Sequence, residues 1–231
     1  MNEVVIIMCT WKRPERLTKT LNLLCQQTNH NFSLYIWNNN PEIKDTINLI
    51  CNTYKEKLKI EITNSEKNIG GFGRFLLARE IIDEAKKIIF IDDDQVFSNN
   101  MVDRFLEVFD ENAVKSRWCW RFHGINYTHR SHINNENINV HYCGTGGMIV
   151  SSKTFKCDEL FKIPNEFLFV EDLWLCFIAT HYLGMKLISI KNDFMTQEVD
   201  GKDQTTIDFY SVKSKFLNYL ILNRGWKILE S

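Results

Sequence analysis

The chain has 231 residues, 44% of them hydrophobic, which suits one large domain or two small ones with a substantial core. Lys and Arg number 28 against 29 Asp and Glu, so the formal charge is -1 and the basic excess of a nucleic-acid binder is missing. Seven cysteines, odd in number and without a C-x-x-C pair, speak against a zinc site or a disulfide framework and favour a reducing compartment. The opening Met1-Asn2-Glu3-Val4 lacks a basic region followed by a long apolar one. No signal peptide is therefore expected, and a cytoplasmic location is. The most apolar late stretch, Phe167 to Leu183, is interrupted by Glu171, Asp172 and His181 and does not read as a membrane span.

In chain order, Val4 to Met8 reads as a buried strand. Pro14 stands where a helix would begin, and Leu17, Leu21 and Leu24 carry that helix to about Gln27. Phe32 to Trp37 is a second strand, stopped by the loop signal Asn38-Asn39-Asn40-Pro41. A helix over about Asp45 to Lys57, a short strand near Leu58 to Thr63 and a glycine-rich turn over Asn68 to Gly73 follow. A helix from Arg74 to about Lys86 leads into the apolar run Ile88-Ile89-Phe90-Ile91, a strand buried on both faces. Met101, Val102, Phe105, Leu106 and Phe109 mark a further helix. Beyond it the pattern is less regular. Trp118 to Phe122 reads as a strand, Asn134 to Asn139 as a polar loop, and Gly144 to Gly147 as a turn before the apolar Met148-Ile149-Val150. Lys186 to Ile190 is a late strand, and a last helix runs from about Tyr210 to Leu222, with Gly225 beyond. The alternation predicts an α/β fold in one domain: a mixed, mostly parallel sheet with helices on both faces. A nucleotide-binding half over about 1–100 and an acceptor-binding half over about 101–231 divide the work. The amphipathic end, Phe216 to Leu222, either closes the core or offers a surface to a membrane or a partner domain.

Three acids, Asp92, Asp93 and Asp94, end the strand at Ile91. Like charges this close repel, and burying them costs more still. A divalent cation removes the conflict. In an extended segment the side chains at i and i+2 share a side, so Asp92 and Asp94 are expected to converge on one ion. Hard oxygen ligands favour Mg²⁺ or Mn²⁺, which keep waters and take further oxygens from a substrate phosphate. The competing reading is a solvated acidic loop. Ligands of such sheets bind beyond the carboxyl ends of the strands, which places Thr10, Asn38 and Asp92 in one crevice.

The order of these motifs resembles the nucleotide-sugar glycosyltransferases of GT-A type, in the large inverting family that includes cellulose and hyaluronan synthases. Thr10-Trp11-Lys12-Arg13-Pro14 stands in place of T-Y-N-R-P, Asn38-Asn39-Asn40 in place of D-N-x-S, and Asn68-Ile69-Gly70…Ala78-Arg79 in place of N-x-G…A-R. Asp92-Asp93-Asp94 stands for D-x-D, Gly144 to Met148 for the acceptor loop, and Glu171-Asp172 for the E-D pair. The version Asn68-Ile69-Gly70-Gly71-Phe72-Gly73-Arg74-Phe75 is similar to galactofuranosyl- and rhamnosyltransferase-like members. The resemblance spans Val4 to Leu187.

It implies transfer of a sugar from a nucleoside-diphosphate sugar, most simply a UDP-sugar, to a hydroxyl of a glycan or glycoconjugate, helped by Mn²⁺ or Mg²⁺. Asp172 would be the general base, with Glu171 its helper; a carboxylate among Phe167 to Val170 and Leu173 to Leu175 should have a raised pKa. The pair would also suit a helix N-terminus. Asp94 would ligate the metal directly. Asp92 would touch the ribose or a metal-bound water, and Asp93 would support both. Thr10, Trp11, Arg13, Asn38, Asn68, Gly70, Gly71 and Arg79 would form the nucleotide pocket: Trp11 against the base, Arg13 toward the phosphates, Asn38 reading the base, Arg79 reaching back to the base or the acids. Gly146, Gly147 and Trp120, with Trp118, His123 and Tyr142, would line the acceptor side, against the alternative that the aromatics pack a strand. Many relatives supply a late metal-binding His; none follows His181, which leaves Asp193, Asp200 and Asp203 as substitutes. The alternatives are a sugar-phosphate nucleotidyltransferase, whose G-x-G-T-R-L start is missing, and a non-catalytic carbohydrate-binding domain of the same fold.

Overall fold

The computed structural model describes residues 4–198 and 208–228. Its centre is a seven-stranded sheet of order β11-β6-β10-β4-β1-β2-β3. The strands are β1 (Val4–Thr10), β2 (Phe32–Asn38), β3 (Ile60–Asn64), β4 (Lys87–Asp92), β6 (Ala113–Ser116), β10 (Met148–Ser151) and β11 (Lys186–Ser189). β4, β1, β2 and β3 run parallel, as the strand–helix alternation demands, and β11 runs parallel to β6. β10 lies antiparallel between β4 and β6, which makes the sheet mixed.

The near-continuous apolar strands are buried on both faces. Val5, Ile7, Ile88, Phe90, Met148 and Val150 enter one core, while Val4, Ile6, Met8, Ile89, Ile91 and Ile149 enter the other. Period-two alternation therefore feeds two apolar layers, one on each side of the sheet. Helices α1 (Pro14–Cys25), α2 (Lys44–Asn52) and α4 (Met101–Val108) contribute Leu17, Leu21, Ile47 and Phe105 to the second layer. Helices α3 (Gly73–Glu80), α5 (Glu171–Phe177) and α6 (Phe209–Leu222) contribute Phe75, Trp174 and Phe216 to the first. Phe216, Leu217 and Leu220 of α6 are fully buried, so that helix closes the core and leaves Leu222 outside.

Several elements differ from expectation. α2 stops at Asn52 and α3 at Glu80, six residues before Lys86; the backbone N–H of Ile81 bonds Leu77 and that of Glu84 bonds Ile81, continuing the chain as turns. Strand β6 carried no sequence signal. Nor did the ribbon of β5 (Gln95–Phe97) with β12 (Met195–Gln197), or the partners of β7 (Cys119–Phe122), namely β8 (Arg130–Ile133) and β9 (Tyr142–Cys143). These are two to four residues long, too short for a periodic pattern to declare itself. The three acids are also not one extended segment. Asp92 ends β4, and Asp93 and Asp94 form the tight turn into β5. The i, i+2 argument for Asp92 and Asp94 therefore does not hold as stated.

Candidate active site

Parallel register brings the strand ends together: Thr10 pairs with Asn38, and Cys9 with Asp92. Above them lies a cleft of about 400 Å³ lined by Thr10, Trp11, Arg13, Asn68, Gly70, Gly71, Arg74 and the three acids. A second cleft of about 440 Å³ adjoins it, lined by Trp118, Trp120, Tyr142, Gly146, Glu171, Asp172 and Lys213. Gly71, Arg74, Asp92, Phe169 and Phe209 belong to both, so the clefts share a wall.

Each acid in the first cleft faces at least one guanidinium. Asp92 Oδ1 accepts from Arg74 Nη2 at 2.9 Å. Asp93 is buried; its Oδ1 accepts from Arg13 Nη2 at 2.5 Å and its Oδ2 from the Thr10 hydroxyl at 3.4 Å. Burial pushes the Asp93 carboxyl up to about 6, with Arg13 pulling against it. Asp94 Oδ2 lies 3.9 Å from Arg13 Nη1 and 3.8 Å from Arg16 Nη1 and accepts from Gln197 Nε2 at 3.2 Å. Burial and then the Asp92 charge raise the Asp94 carboxyl, and its Oδ1 is buried without a hydrogen-bond partner. Gln197 arrives through the β5–β12 ribbon, where it stands opposite Gln95, whose Oε1 accepts from the Asp92 backbone N–H.

The shared wall is held by close approach. A Cβ on Gly71 would stand 1.8 Å from Glu171 Oε1, and one on Gly146 2.2 Å from Asp92 Oδ2. Gly70 has φ +64, the left-handed region where glycine costs least. Glu171 is 5% exposed; burial pushes its carboxyl up to about 7, opposed first by Arg74, whose Nε stands 3.9 Å away. Burial works against the Arg74 charge, but the facing carboxylates outweigh it and the group is raised.

Asp172, in the first turn of α5, is not surrounded by apolar groups alone. Its Oδ2 accepts from Lys213 Nζ of α6 at 2.6 Å and from the Tyr142 hydroxyl of β9, and its Oδ1 accepts from the Leu173 backbone N–H at 2.8 Å. Lys213 Nζ also donates to the Tyr142 hydroxyl at 2.7 Å. Trp118, Trp120 and Tyr142 continue this wall, with ring centroids 5.3 and 5.2 Å apart along the series.

The structure thus gathers Thr10, Trp11, Arg13, Asn68, Gly70, Gly71, Asp92, Asp93 and Asp94 around one cleft and Trp120, Gly146, Glu171 and Asp172 around the other. Four expected residues fall elsewhere, the first being His123, whose Nε2 shares a hydrogen bond of 2.7 Å with the Ser131 hydroxyl and which lines neither cleft. Arg79 pairs with Asp158 at 2.6 Å and lies over Phe161, away from the acids. The Asn38 amide is spent inside its loop, donating to Asn40 O and Asn64 Oδ1 at 2.9 Å and accepting from Asn40 N, so it is not turned to read a base. Gly147, at φ +89, packs against Arg117 and lines neither cleft. Asp193 pairs with Arg104 at 3.1 Å and Lys191 at 3.0 Å, while Asp200 and Asp203 lie outside the described residues.

Arg74, Asn39, Gln197 and Lys213 escaped the sequence reading. Arg74 stood inside the quoted glycine-rich motif. Lys213 carried a signal: it falls four residues after Phe209 and three before Phe216, on the buried stripe of α6. Asn39 ties the turn to β2, its Oδ1 accepting from Trp37 Nε1 and Ile69 N and its Nδ2 donating to Gly70 O.

Solved structures with this fold include S. aureus TarS in complex with UDP-GlcNAc, at TM-score 0.66 and 17% identity over 96% of this chain and 67% of that one. A second is GalNAc-T7 with UDP, GalNAc and Mn²⁺, at TM-score 0.68 and 10% identity over 94% of this chain and 48% of that one. Against another TarS structure, at TM-score 0.65 and 18% identity, the chain spans 40% of the neighbour's length. No curated protein matches the sequence. The family model described as glycosyl transferase family 2 matches residues 5–168, most of the strands and acids described above, and the chain belongs to that family of glycosyltransferases.

Proposed function

We propose that this chain moves a sugar from a nucleoside-diphosphate sugar, a UDP-sugar in the first instance, to a hydroxyl of a glycan or glycoconjugate with inversion at the anomeric carbon. The observation that carries this is the pair of clefts with a common wall: acids and guanidiniums in one, an oriented carboxylate in the other. TarS with UDP-GlcNAc and GalNAc-T7 with UDP, GalNAc and Mn²⁺ support a nucleotide-sugar donor.

In this reading the nucleotide lies against Trp11 and the 68–71 turn, with its diphosphate toward Arg13 and Arg74. The acceptor ring rests on Trp120 and Trp118. Its hydroxyl gives its proton to Asp172 as the new C–O bond forms, and the anomeric bond to the phosphate oxygen breaks on the opposite face. Arg13 and Arg74 meet the charge that develops on the leaving group in a preorganised way. Mn²⁺ or Mg²⁺ fits the donor set: Asp94 Oδ1 is a buried acceptor without a partner, and Asp92 is half exposed beside it in charge. Asp92 and Asp94 would hold it. Among the described residues no three His, Cys, Asp or Glu side chains cluster for a metal, so the remaining ligands would be donor oxygens and water. Bound there, the ion supplies further charge neutralisation to the phosphates.

Among the described residues no helix is long and apolar enough to cross a membrane. Calorimetric titration with UDP, GDP and dTDP, each with and without Mn²⁺, tests the reading. Metal-strengthened binding of one nucleotide is expected, retained in Asp172→Asn while turnover is lost. A folded protein that binds none of the three is not a nucleotide-sugar enzyme.

A further inference from the structure

A general base needs a fixed orientation and a charge state that leaves it ready to take a proton. Asp172 has one oxygen committed and one nearly open. Oδ2 accepts from both Lys213 Nζ and the Tyr142 hydroxyl, while Oδ1 accepts only from the Leu173 backbone N–H. A carboxylate has about four lone-pair sites, so the remaining capacity lies on Oδ1. Lys213 is itself enclosed: its side chain is 13% exposed, and its ammonium stands 5.3 Å from the Tyr127 ring and 5.0 Å from the Tyr142 ring. A lysine is seldom buried without a task, because taking an ammonium out of water is costly.

We propose that Lys213 is a positioning residue for the base: with Tyr142 it clamps one oxygen of Asp172, sets a positive charge against it and leaves the other oxygen for the acceptor's proton. The proposal rests on the reading of Asp172 as base. The groups that face this cluster are Glu171 and Cys176 from α5, Arg74 from α3 beyond Glu171, Tyr142 from β9, and Tyr127 from the segment between β7 and β8. Among the described residues Lys213 is the cation paired with Asp172; Arg74 is turned to Asp92 and Glu171, and Arg130 lies over Tyr127 at 3.9 Å. The other facing groups are acids or weak acids, so none replaces the charge of Lys213. The arrangement also links α6 to both clefts, since Phe209 at its start lines the shared wall and Lys213 follows one turn later.

The experiment compares Lys213→Met, Lys213→Arg, Tyr142→Phe and Asp172→Asn with the parent chain. Nucleotide affinity is measured by calorimetry, and nucleotide release from the sugar donor is followed across pH. An opposite charge within hydrogen-bond reach moves a carboxylate by about one pH unit or more. In Lys213→Met the acid limb of kcat/KM is expected to move up by about that much, so kcat/KM on the acid side of the limb falls roughly tenfold and recovers above it, with nucleotide affinity unchanged. Lys213→Arg is expected to return the limb toward the parent position, and Tyr142→Phe to move it up by less. A purely structural lysine would lower activity by one factor at every pH, and an unmoved limb in both Lys213→Met and Tyr142→Phe overturns the proposal. Should Lys213→Met fail to fold, Tyr142→Phe decides alone. Asp172→Asn that keeps turnover removes the base and this proposal together, whereas an inactive Asp172→Asn with an unmoved limb in the others removes only the role of Lys213.

Discussion

Glu171 shows how one buried carboxylate ties stability to function. Its folded pKa stands at about 7 against an ordinary 4.5, because burial outweighs the pull of Arg74. The folded chain therefore holds that proton more tightly than the unfolded chain, and stability drains away as pH rises from about 4.5 through 7. Above that window the ionised group is a standing cost. Glu171→Gln keeps the shape and removes the charge, so it is expected to stabilise the protein by about 1–3 kcal/mol at pH 8. Most of that gain should vanish near pH 4.5. Thermal unfolding followed by circular dichroism at the two pH values measures it, and equal melting temperatures at pH 8 would contradict it. Sequence reasoning looked for a raised carboxylate in this segment on the strength of its apolar neighbours. The apolar neighbours were legible, but the cations were not: Arg74 stands 3.9 Å from Glu171, while Lys213 comes to 2.6 Å from Asp172 from forty-one positions away.

At the scale of elements, the turn and helix from Asn68 to Glu80 supply Gly71 and Arg74 to both clefts. The glycine-rich motif was legible as a turn, and the strand-end acids as a site, because both are contiguous in sequence. Which arginine reaches the acids was not, because helical phase decides it. Arg79 lies five residues after Arg74, about 140° round the helix, and so meets Asp158 on the outer side. Gly73 opens α3 against β2: a Cβ there would stand 2.3 Å from the Trp37 ring, whose Nε1 is pinned to Asn39. Alanine is the better helix former by about 1 kcal/mol, so propensity alone predicts a gain. The steric term opposes it, since overpacking a fixed ring costs about 1–3 kcal/mol. Gly73→Ala is therefore expected to lower stability, read as a lower urea midpoint with an unchanged slope. A raised midpoint would mean that Trp37 yields more readily than its hydrogen bond implies.

Over the whole molecule, the first half could be derived almost strand by strand because helices join its successive strands β1 to β4. The second half could not, because its pairings are non-local and its strands short: β10 inserts antiparallel between β4 and β6, and β12 returns to β5 from about a hundred positions away. Those long returns build the second cleft and set it against the first. The consequence is mechanical. Gly71 and Arg74 come from the first half, Phe169 and Phe209 from the second, and all four line both clefts. A nucleotide that fills the first cleft touches the wall of the second, so ordering should spread across chain segments far apart in sequence but joined in space. Hydrogen exchange with and without UDP and Mn²⁺ tests this. Residues 70–74, 169–172 and the first turn of α6 are expected to gain protection together, while α2 and α4, which face the opposite layer, stay as they were. Protection confined to residues 70–74 would mean that the clefts are neighbours without being coupled. Asp172 would then hold the same geometry whether or not the first cleft is filled.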